Sequence, residues 1–275
     1  MNFGLDYSEW DRFLHEWKDT RALSILGSNL ILFDEIDSTN TFIKTNLSDI
    51  KANTIVISRI QTSGKGQKQR KWNSDKGGLY LSIKLDIQKD KTIIPFWIIA
   101  TLSISLCEYF ESIGLNSRLK WPNDVLINER KVCGILTENV FYKDHIIVII
   151  GIGININNSM EKIYLDFPEL RGKIATIIDI MPNFSNSHLK AMLSKLCGDL
   201  EFQLKLDNPF SIHNLKKKWS EYSKIINKEV TIKNLKDEVI YSGRVKDISN
   251  IGSLLVEVES DEIKEFFSGD IKVQE

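Results

Sequence analysis

A chain of 275 residues, 42% hydrophobic and 27% charged, is long enough for one large core with a small appended domain and too apolar to be disordered. Its 36 Lys and Arg nearly balance 37 Asp and Glu, and the formal net charge of −1 excludes a surface given over wholly to nucleic acid or membrane. Any basic function is therefore local. Three cysteines (Cys107, Cys133, Cys197) and four histidines (His15, His145, His188, His213) show neither paired nor metal-ligand spacing, which points to a reducing compartment and no protein-only metal cluster.

Asp6, Glu9 and Asp11 stand where a secretion signal would be basic and then apolar, so a cytoplasmic protein is expected. Ser8 followed by Asp11, with Trp10, Phe13, Leu14 and Trp17 at helical spacing, predicts a short capped amphipathic helix. A strand over residues 30–33 leads into Ser38-Thr39-Asn40, a helix N-cap ahead of Phe42, Ile43 and Leu47. The free N–H groups and hydroxyls of such a terminus serve either capping alone or a polar ligand as well.

A β-branched strand over residues 54–58 delivers the chain to residues 61–82, QTSGKGQKQRKWNSDKGGLYLS. Gly64 and Gly66 allow successive N–H groups to turn inward as an anion nest, and Lys65, Lys68, Arg70, Lys71 and Lys76 supply charge; the bland alternative is a solvated hairpin tip. The following strand, residues 79–83, places Tyr80 and Ser82 on one face.

Residues 95–113 read as a helix with Ile98, Ile99, Leu102, Leu106, Phe110 and Ile113 on one broad side. Pro95, Thr101, Ser103, Ser105 and Glu108 make it a buried helix in preference to a membrane span. In KWPNDVLINERKVCGILTE, residues 120–138, Pro122 with Asn123 and Asp124 predicts a turn, and residues 128–130 predict a hairpin loop. A buried strand at 146–150 continues through Gly151-Ile152-Gly153-Ile154-Asn155, whose alternating glycines leave one face bare for a flat ligand or for close helix packing. Ser187 is expected to cap a helix carrying Leu189, Met192, Leu193, Leu196 and Leu200, and Pro209 to start another with Leu215 and Trp219. From residue 225 the pattern changes to short strands around Val230, 239–245, 254–258 and 263–273, with turns at Asn250-Ile251-Gly252-Ser253 and Ser268-Gly269-Asp270, a small separate β-barrel. The fold expected is α+β: a mixed or antiparallel sheet packed with helices, then that barrel.

Four segments together resemble biotin protein ligases in order and context: Asp37-Ser38-Thr39-Asn40; residues 61–72; Lys120-Trp121-Pro122-Asn123-Asp124 with Lys131 and Gly134-Ile135-Leu136; and residues 151–155. The tail, ending in Phe267-Ser268-Gly269-Asp270-Ile271, resembles the family's C-terminal barrel. The resemblance implies an N-terminal extension at 1–29, a biotin/lipoate ligase-like catalytic domain at 30–224 and the barrel at 225–275. It implies an enzyme that joins biotin and ATP, with Mg²⁺, into biotinyl-5′-AMP. The biotin then passes to one lysine of a biotin carboxyl carrier domain, in acetyl-CoA carboxylase or a related carboxylase. By the same resemblance Ser38, Thr39, Asn40, Gln61 and Gly64 would hold the ureido ring, while Tyr80, Ser82, Gly134 and Leu136 would wall the bicyclic ring and tail. Lys65, Arg70 and Lys131 would offset the repulsion between carboxylate and phosphate, Lys65 and Lys131 also touching biotin, and Asp124 would orient or deprotonate the carrier lysine. Gly66, Gln67, Arg70, Trp72, Lys120, Asn123 and Asn155 would line the ATP and adenylate side.

Two departures stand out. Where the family's phosphate loop reads G-R-G-R with a further Arg, this chain has Gly64-Lys65-Gly66-Gln67-Lys68-Gln69-Arg70, so a bidentate fork and a charge are lost and weaker retention of the adenylate is expected. Residues 1–29 leave no room for the winged domain of the repressor-type members, so no DNA partner is expected. A lipoate or octanoate ligase would carry paired arginines, three glycines and His-Asp, which do not occur here. A single-stranded nucleic-acid binder using Trp72 and Tyr80 as stacking groups is disfavoured by the net charge. A degenerate biotin-binding protein with weak turnover stays open because of Gln67, as does pairing into a homodimer.

Overall fold

The computed structural model describes residues 14, 16–17, 26–88, 95–142, 145–205, 212–234, 238–258 and 262–274. Strand β1 (Asn29–Ile36) crosses over through helix α1 (Thr39–Thr45) to the parallel strand β2 (Thr54–Gln61), which pairs antiparallel with β3 (Leu79–Gln88). Helix α2 (Pro95–Ser112) follows, then β4 (Ser117–Lys120), β5 (Asp124–Ile127), β6 (Arg130–Tyr142) and β7 (His145–Ile154) run as a meander that closes against β3. The result is a seven-stranded mixed sheet in the order β1-β2-β3-β7-β6-β5-β4. The hairpin between β5 and β6 turns through Asn128 and Glu129, both left-handed with φ of 48° and 65°.

The period of two divides this sheet into unlike faces. Leu79, Leu81, Ile83 and Leu85 of β3 and Ile150, Ile152 and Ile154 of β7 enter the main core, and each such fully buried side chain contributes roughly 1.5–3 kcal/mol relative to exposure. Tyr80, Ser82, Gly151 and Gly153 lie on the opposite face, where α1 covers a smaller cluster of Ile43, Ile50, Val56, Ile147 and Ile149. Beyond β7 come α3 (Met160–Asp166), α4 (Ile177–Ile180), α5 (Asn186–Lys205) and α6 (Ile212–Ser223).

Helix α2 is buried on nearly every side, not on one broad side as its spacing suggests, because the sheet lies under it and α5 and α6 pack on it. Its buried Ser103 hydroxyl donates to the Ile99 carbonyl at 2.6 Å. Helix α5 begins at Asn186, so Ser187 sits in its first turn, and the preceding Ser185 carbonyl accepts from Leu189 N–H at 3.0 Å. Leu14 and Trp17 are buried, and Trp17 Nε1–H donates to Ser194 Oγ at 3.0 Å. The expectations for Ser8, Trp10, Phe13 and Pro209 lie outside the described residues. No described helix is long and apolar enough to cross a membrane.

The C-terminal strands are β8 (Glu229–Lys233), β9 (Val239–Ile248), β10 (Leu254–Val258), β11 (Ile263–Phe266) and β12 (Asp270–Val273). They form a five-stranded antiparallel sheet in the order β11-β10-β9-β8-β12. The stretch 263–273 is divided at Phe267-Ser268-Gly269, one residue before the turn expected at Ser268-Gly269-Asp270, and its halves become the two edges, so the sheet is barrel-like and not closed among the described residues. Its Val230, Ile232, Val245, Ile248, Leu254 and Val256 continue the main core. Two indoles fasten it: Trp97 Nε1–H donates to the Asn250 carbonyl at 2.6 Å and Trp121 Nε1–H to the Gly252 carbonyl at 2.9 Å. At Gly252, with φ of +88°, an added Cβ would lie 2.0 Å from Phe96 Cγ. Gly252→Ala is therefore expected to cost about 1–3 kcal/mol through strain and overpacking, read as a lower denaturant midpoint; an unchanged midpoint would show that this turn is not what docks the small sheet.

Candidate functional site

β2 ends at Gln61 and hands the chain to a loop that folds on itself. Trp72 N–H donates to Gly64 O at 2.9 Å, Gly66 N–H to Arg70 O at 2.7 Å, and Arg70 N–H to Gln67 O at 3.1 Å. Of the N–H groups that an anion nest around Gly64 and Gly66 would turn inward, that of Gly66 is thus used by the loop's own Arg70 carbonyl. Gly64 is required by close approach: a Cβ there would lie 2.3 Å from Ser74 Oγ and 2.6 Å from Trp72 O.

The floor is the bare face of β6 and β7. A Cβ at Gly153 would lie 2.6 Å from Trp72 Nε1, and one at Gly134 would lie 2.9 Å from the same indole. At Gly151 it would lie 2.5 Å from Asn40 Oδ1. The glycines thus admit side chains of the loop and of α1. Lys131 Nζ lies 4.9 Å from the Trp72 ring centroid and 2.6 Å from Asp124 Oδ1.

A cavity of about 240 Å³ opens over this floor. Of the sequence-predicted residues, Ser38, Thr39, Asn40, Gln61, Lys65, Gly66, Gln67, Arg70, Trp72, Lys120, Asn123, Asp124, Lys131, Gly134, Leu136 and Asn155 line it, whereas Gly64, Tyr80 and Ser82 do not. Gly64 lies under the loop; Tyr80 is turned away, its hydroxyl donating to Asp75 O at 2.6 Å and accepting from Asn158 Nδ2 at 2.7 Å. Ser82 stands behind Thr39 and Asn40, its Oγ 2.6 Å from Thr39 Oγ1 and 2.5 Å from Asn40 Oδ1.

One end of the cavity is neutral and hydrogen-bonded. Ser38 caps α1, and Thr39 N–H and Oγ1–H reach Gln61 Oε1 at 2.8 and 3.1 Å, which turns Gln61 Nε2 to Ser74 Oγ at 2.9 Å. Lys65 Nζ donates to Thr41 Oγ1 of the same helix at 2.9 Å. The other end gathers cations: Lys131 meets Asp124, and both nitrogens of the Arg70 fork meet Asp270, with Nη1 to Oδ1 at 3.3 Å. Asn123 Nδ2 donates to Ile135 O at 2.7 Å, and this tie locks the turn before β5 onto β6.

Asp270 was visible in the sequence only as part of the tail's Phe-Ser-Gly-Asp run; its place on the cavity wall depends on how the C-terminal sheet docks. Ile163, Leu170 and Ile174 line the wall too, and carried no signal beyond being apolar. Ile174 arrives because Lys131 N–H donates to Lys173 O at 2.9 Å and Ala175 N–H to Lys131 O at 3.0 Å, a bridge onto the start of β6.

Residues 32–155 match the family model for the biotin/lipoate A/B protein ligase family, and residues 225–273 match that for the biotin protein ligase C terminal domain. The bifunctional ligase/repressor BirA of Bacillus subtilis is 30% identical over 255 residues, an alignment covering 90% of this chain and 75% of that protein. The chain belongs to the biotin protein ligase family. BirA of Escherichia coli is similar at 28% identity over 251 residues, again covering 90% of this chain and 75% of that protein. Among solved structures, the biotin protein ligase of Aquifex aeolicus in complex with biotin and ATP matches with a TM-score of 0.69 at 29% identity, covering 90% of this chain and 98% of that one. Membership fits a biotin protein ligase site in which Arg70 is held by the C-terminal domain.

The Arg70 hydrogen bond holds the Asp270 carboxyl below its ordinary value, against the opposing effect of burial. A depressed carboxylate stabilises the fold above its unfolded pKa of about 3.9, and that contribution is lost as the pH falls through the lower native value. Because both partners are well exposed, Asp270→Asn should cost under about 1 kcal/mol at neutral pH, and the gap from wild type should close in acid. A gap that persisted below that range in paired unfolding curves would refute the charge origin.

Proposed function

We propose that this chain is an ATP-dependent biotin–[biotin carboxyl-carrier protein] ligase acting in the cytoplasm. It forms biotinyl-5′-adenylate from biotin and ATP and transfers the biotin to one lysine of a carrier domain in acetyl-CoA carboxylase or a related carboxylase. The observation that carries this reading is the division of one cavity into a hydrogen-bonded end at Thr39 and Gln61 and a cationic end at Lys120, Lys131 and Arg70, with Lys65 reaching Thr41 of α1. Such a site suits a molecule with an uncharged polar ring at one end and a carboxylate at the other.

In the first step a carboxylate oxygen of biotin bonds to the α-phosphorus while the bond to the β-phosphate oxygen breaks and pyrophosphate leaves. Two anions must meet, and Lys131, Lys65 and Arg70 offset their repulsion and the charge that grows on the phosphate. Lys131 and Arg70 are pre-aimed by Asp124 and Asp270, so they exchange a carboxylate for a phosphate with little reorientation. Among the described residues no group of three or more His, Cys, Asp or Glu stands together to hold a metal, so Mg²⁺ would be bound through the nucleotide's phosphates and would supply charge screening there. In the second step the carrier amine attacks the acyl carbon, AMP leaves, and Asp124, freed from Lys131, orients the amine or takes its proton. Trp72 and the apolar Ile163, Leu170 and Ile174 keep water from the mixed anhydride.

Incubation with biotin, ATP, Mg²⁺ and a biotin carrier domain should add the mass of biotin to the carrier; an increment with lipoate instead would overturn the substrate, and biotin binding without any increment would leave a biotin-binding protein. Lys131→Ala should lower adenylate formation by about 10²–10³ with folding intact, and near-normal activity would move the phosphate site elsewhere. Gln67 lines the cavity without a cationic group, so Gln67→Arg should slow release of biotinyl-adenylate in a filter-retention assay; equal release rates would dismiss the idea that this loop retains its intermediate weakly.

A further inference from the structure

The hydrogen-bonded wall at the neutral end of the cavity has a direction, and the direction originates outside the cavity. Glu138, on β6, does not line the cavity. Its carboxylate accepts from Asn40 Nδ2 at 3.0 Å and from Lys44 Nζ at 3.0 Å. Burial pushes this carboxyl up, but the hydrogen bonds from Asn40 and Lys44, with the charges of Lys44 and Lys65, carry it below its ordinary value, so it is ionised at neutral pH.

An ionised carboxylate only accepts. Asn40 must therefore turn its NH₂ to Glu138 and its Oδ1 to Ser82 Oγ, 2.5 Å away. An amide oxygen cannot donate, so Ser82 gives its one proton to Asn40 and becomes an acceptor towards Thr39 Oγ1 at 2.6 Å. Gln61 also faces Thr39 with an acceptor, because the Thr39 N–H fixes Gln61 Oε1 at 2.8 Å. Thr39 Oγ1 thus has acceptors on both sides for its single proton and receives none, which leaves it a lone pair for a donor from the cavity. Were Ser82 turned the other way, its proton would occupy one of them. Asn40 is 4% exposed and Ser82 not at all, so water cannot reverse the chain cheaply.

We propose that Glu138 is a positioning residue which, through Asn40 and Ser82, holds Thr39 Oγ1 as the hydrogen-bond acceptor for an N–H of the substrate's ring, and so sets the preference for a neutral cyclic urea. The inference rests on the biotin reading above. It assigns the choice of ring to a carboxylate that never touches the substrate.

The test is titration of biotin into the purified full chain, without ATP, using four variants. Glu138→Gln keeps the shape but lets the side-chain amide face Asn40 either way, and should weaken biotin binding about three- to tenfold, the worth of one hydrogen bond. Asn40→Asp alone sets two carboxylates face to face and should bind worse still. The double variant Asn40→Asp with Glu138→Gln moves the charge one residue along but again forces Ser82 to donate, and should bind more tightly than either single variant. Lys44→Met removes the ion pair yet spares the Asn40 contact, and should bind as wild type does. The proposal falls if Glu138→Gln binds like wild type, if the double variant shows no rescue, or if Lys44→Met is as weak as Glu138→Gln, which would mean that Glu138 merely anchors α1. A wild type that binds no biotin overturns the ligase reading and this inference together, whereas normal wild-type binding with no rescue removes this inference alone.

Discussion

The structure depends on one sheet whose two faces obey different rules. On the core face β3 and β7 bring Leu79, Leu81, Ile83, Leu85, Ile150, Ile152 and Ile154 under α2, and this burial is the main source of stability. On the other face the same strands carry Ser82, Gly151 and Gly153, and β6 adds Gly134. A face without large side chains contributes little hydrophobic stabilisation. It is tolerable only because the core face and the cluster under α1 supply the rest, and it is useful because a loop, an indole and a ligand can then come within contact of the backbone.

The charges at the cavity show how a site rich in cations stays stable when it is empty. Lys131, Arg70 and Lys65 would repel one another across a small space, yet each has a partner: Asp124, Asp270 and the Thr41 hydroxyl. Exposed ion pairs of this kind are worth little individually, so an incoming phosphate or carboxylate displaces them at small cost. What the pairs provide is aim. Each holds its cation at the cavity wall before a ligand arrives, which lowers the ordering cost of binding.

The order of elements was legible because it rests on local chemistry: the Ser38 cap, the hairpin at Asn128 and Glu129, the alternation in β3, and the apolar helix α2. The family motifs added most of the cavity lining. What the sequence hid is non-local. The alternating glycines of β7 announced a bare face, but only the fold reveals that Trp72 and Asn40 fill it. Nothing local marks Ile174 as a wall residue, since a backbone bridge to Lys131 brings it there. The turn near Ser268-Gly269 was legible from its residues, but not that it sends the two halves to opposite edges of the sheet, which only pairing to β10 and to β8 decides. The glycines at 64 and 66 suggested a nest, and the fold adds that the Gly66 N–H is taken by the Arg70 carbonyl across the loop.

The small C-terminal sheet belongs to the site by the same logic. Its Gly252 and Asn250 carbonyls accept from Trp121 and Trp97, and Trp121 stands within the Lys-Trp-Pro-Asn-Asp turn that presents Asn123 and Asp124. Close to that turn its Asp270 holds Arg70 of the loop. The sheet therefore touches both the turn and the loop, the two segments that must keep their distance fixed for Lys131 and Arg70 to act on one phosphate. A domain this small gains its stability by docking on Phe96 and Trp97, and the catalytic domain gains in return a rigid reference for its most highly charged loop. Loss of that docking would thus be felt first in the geometry of the cationic end, and only afterwards in the neutral end, whose hydrogen bonds run entirely within the seven-stranded sheet, α1 and the loop.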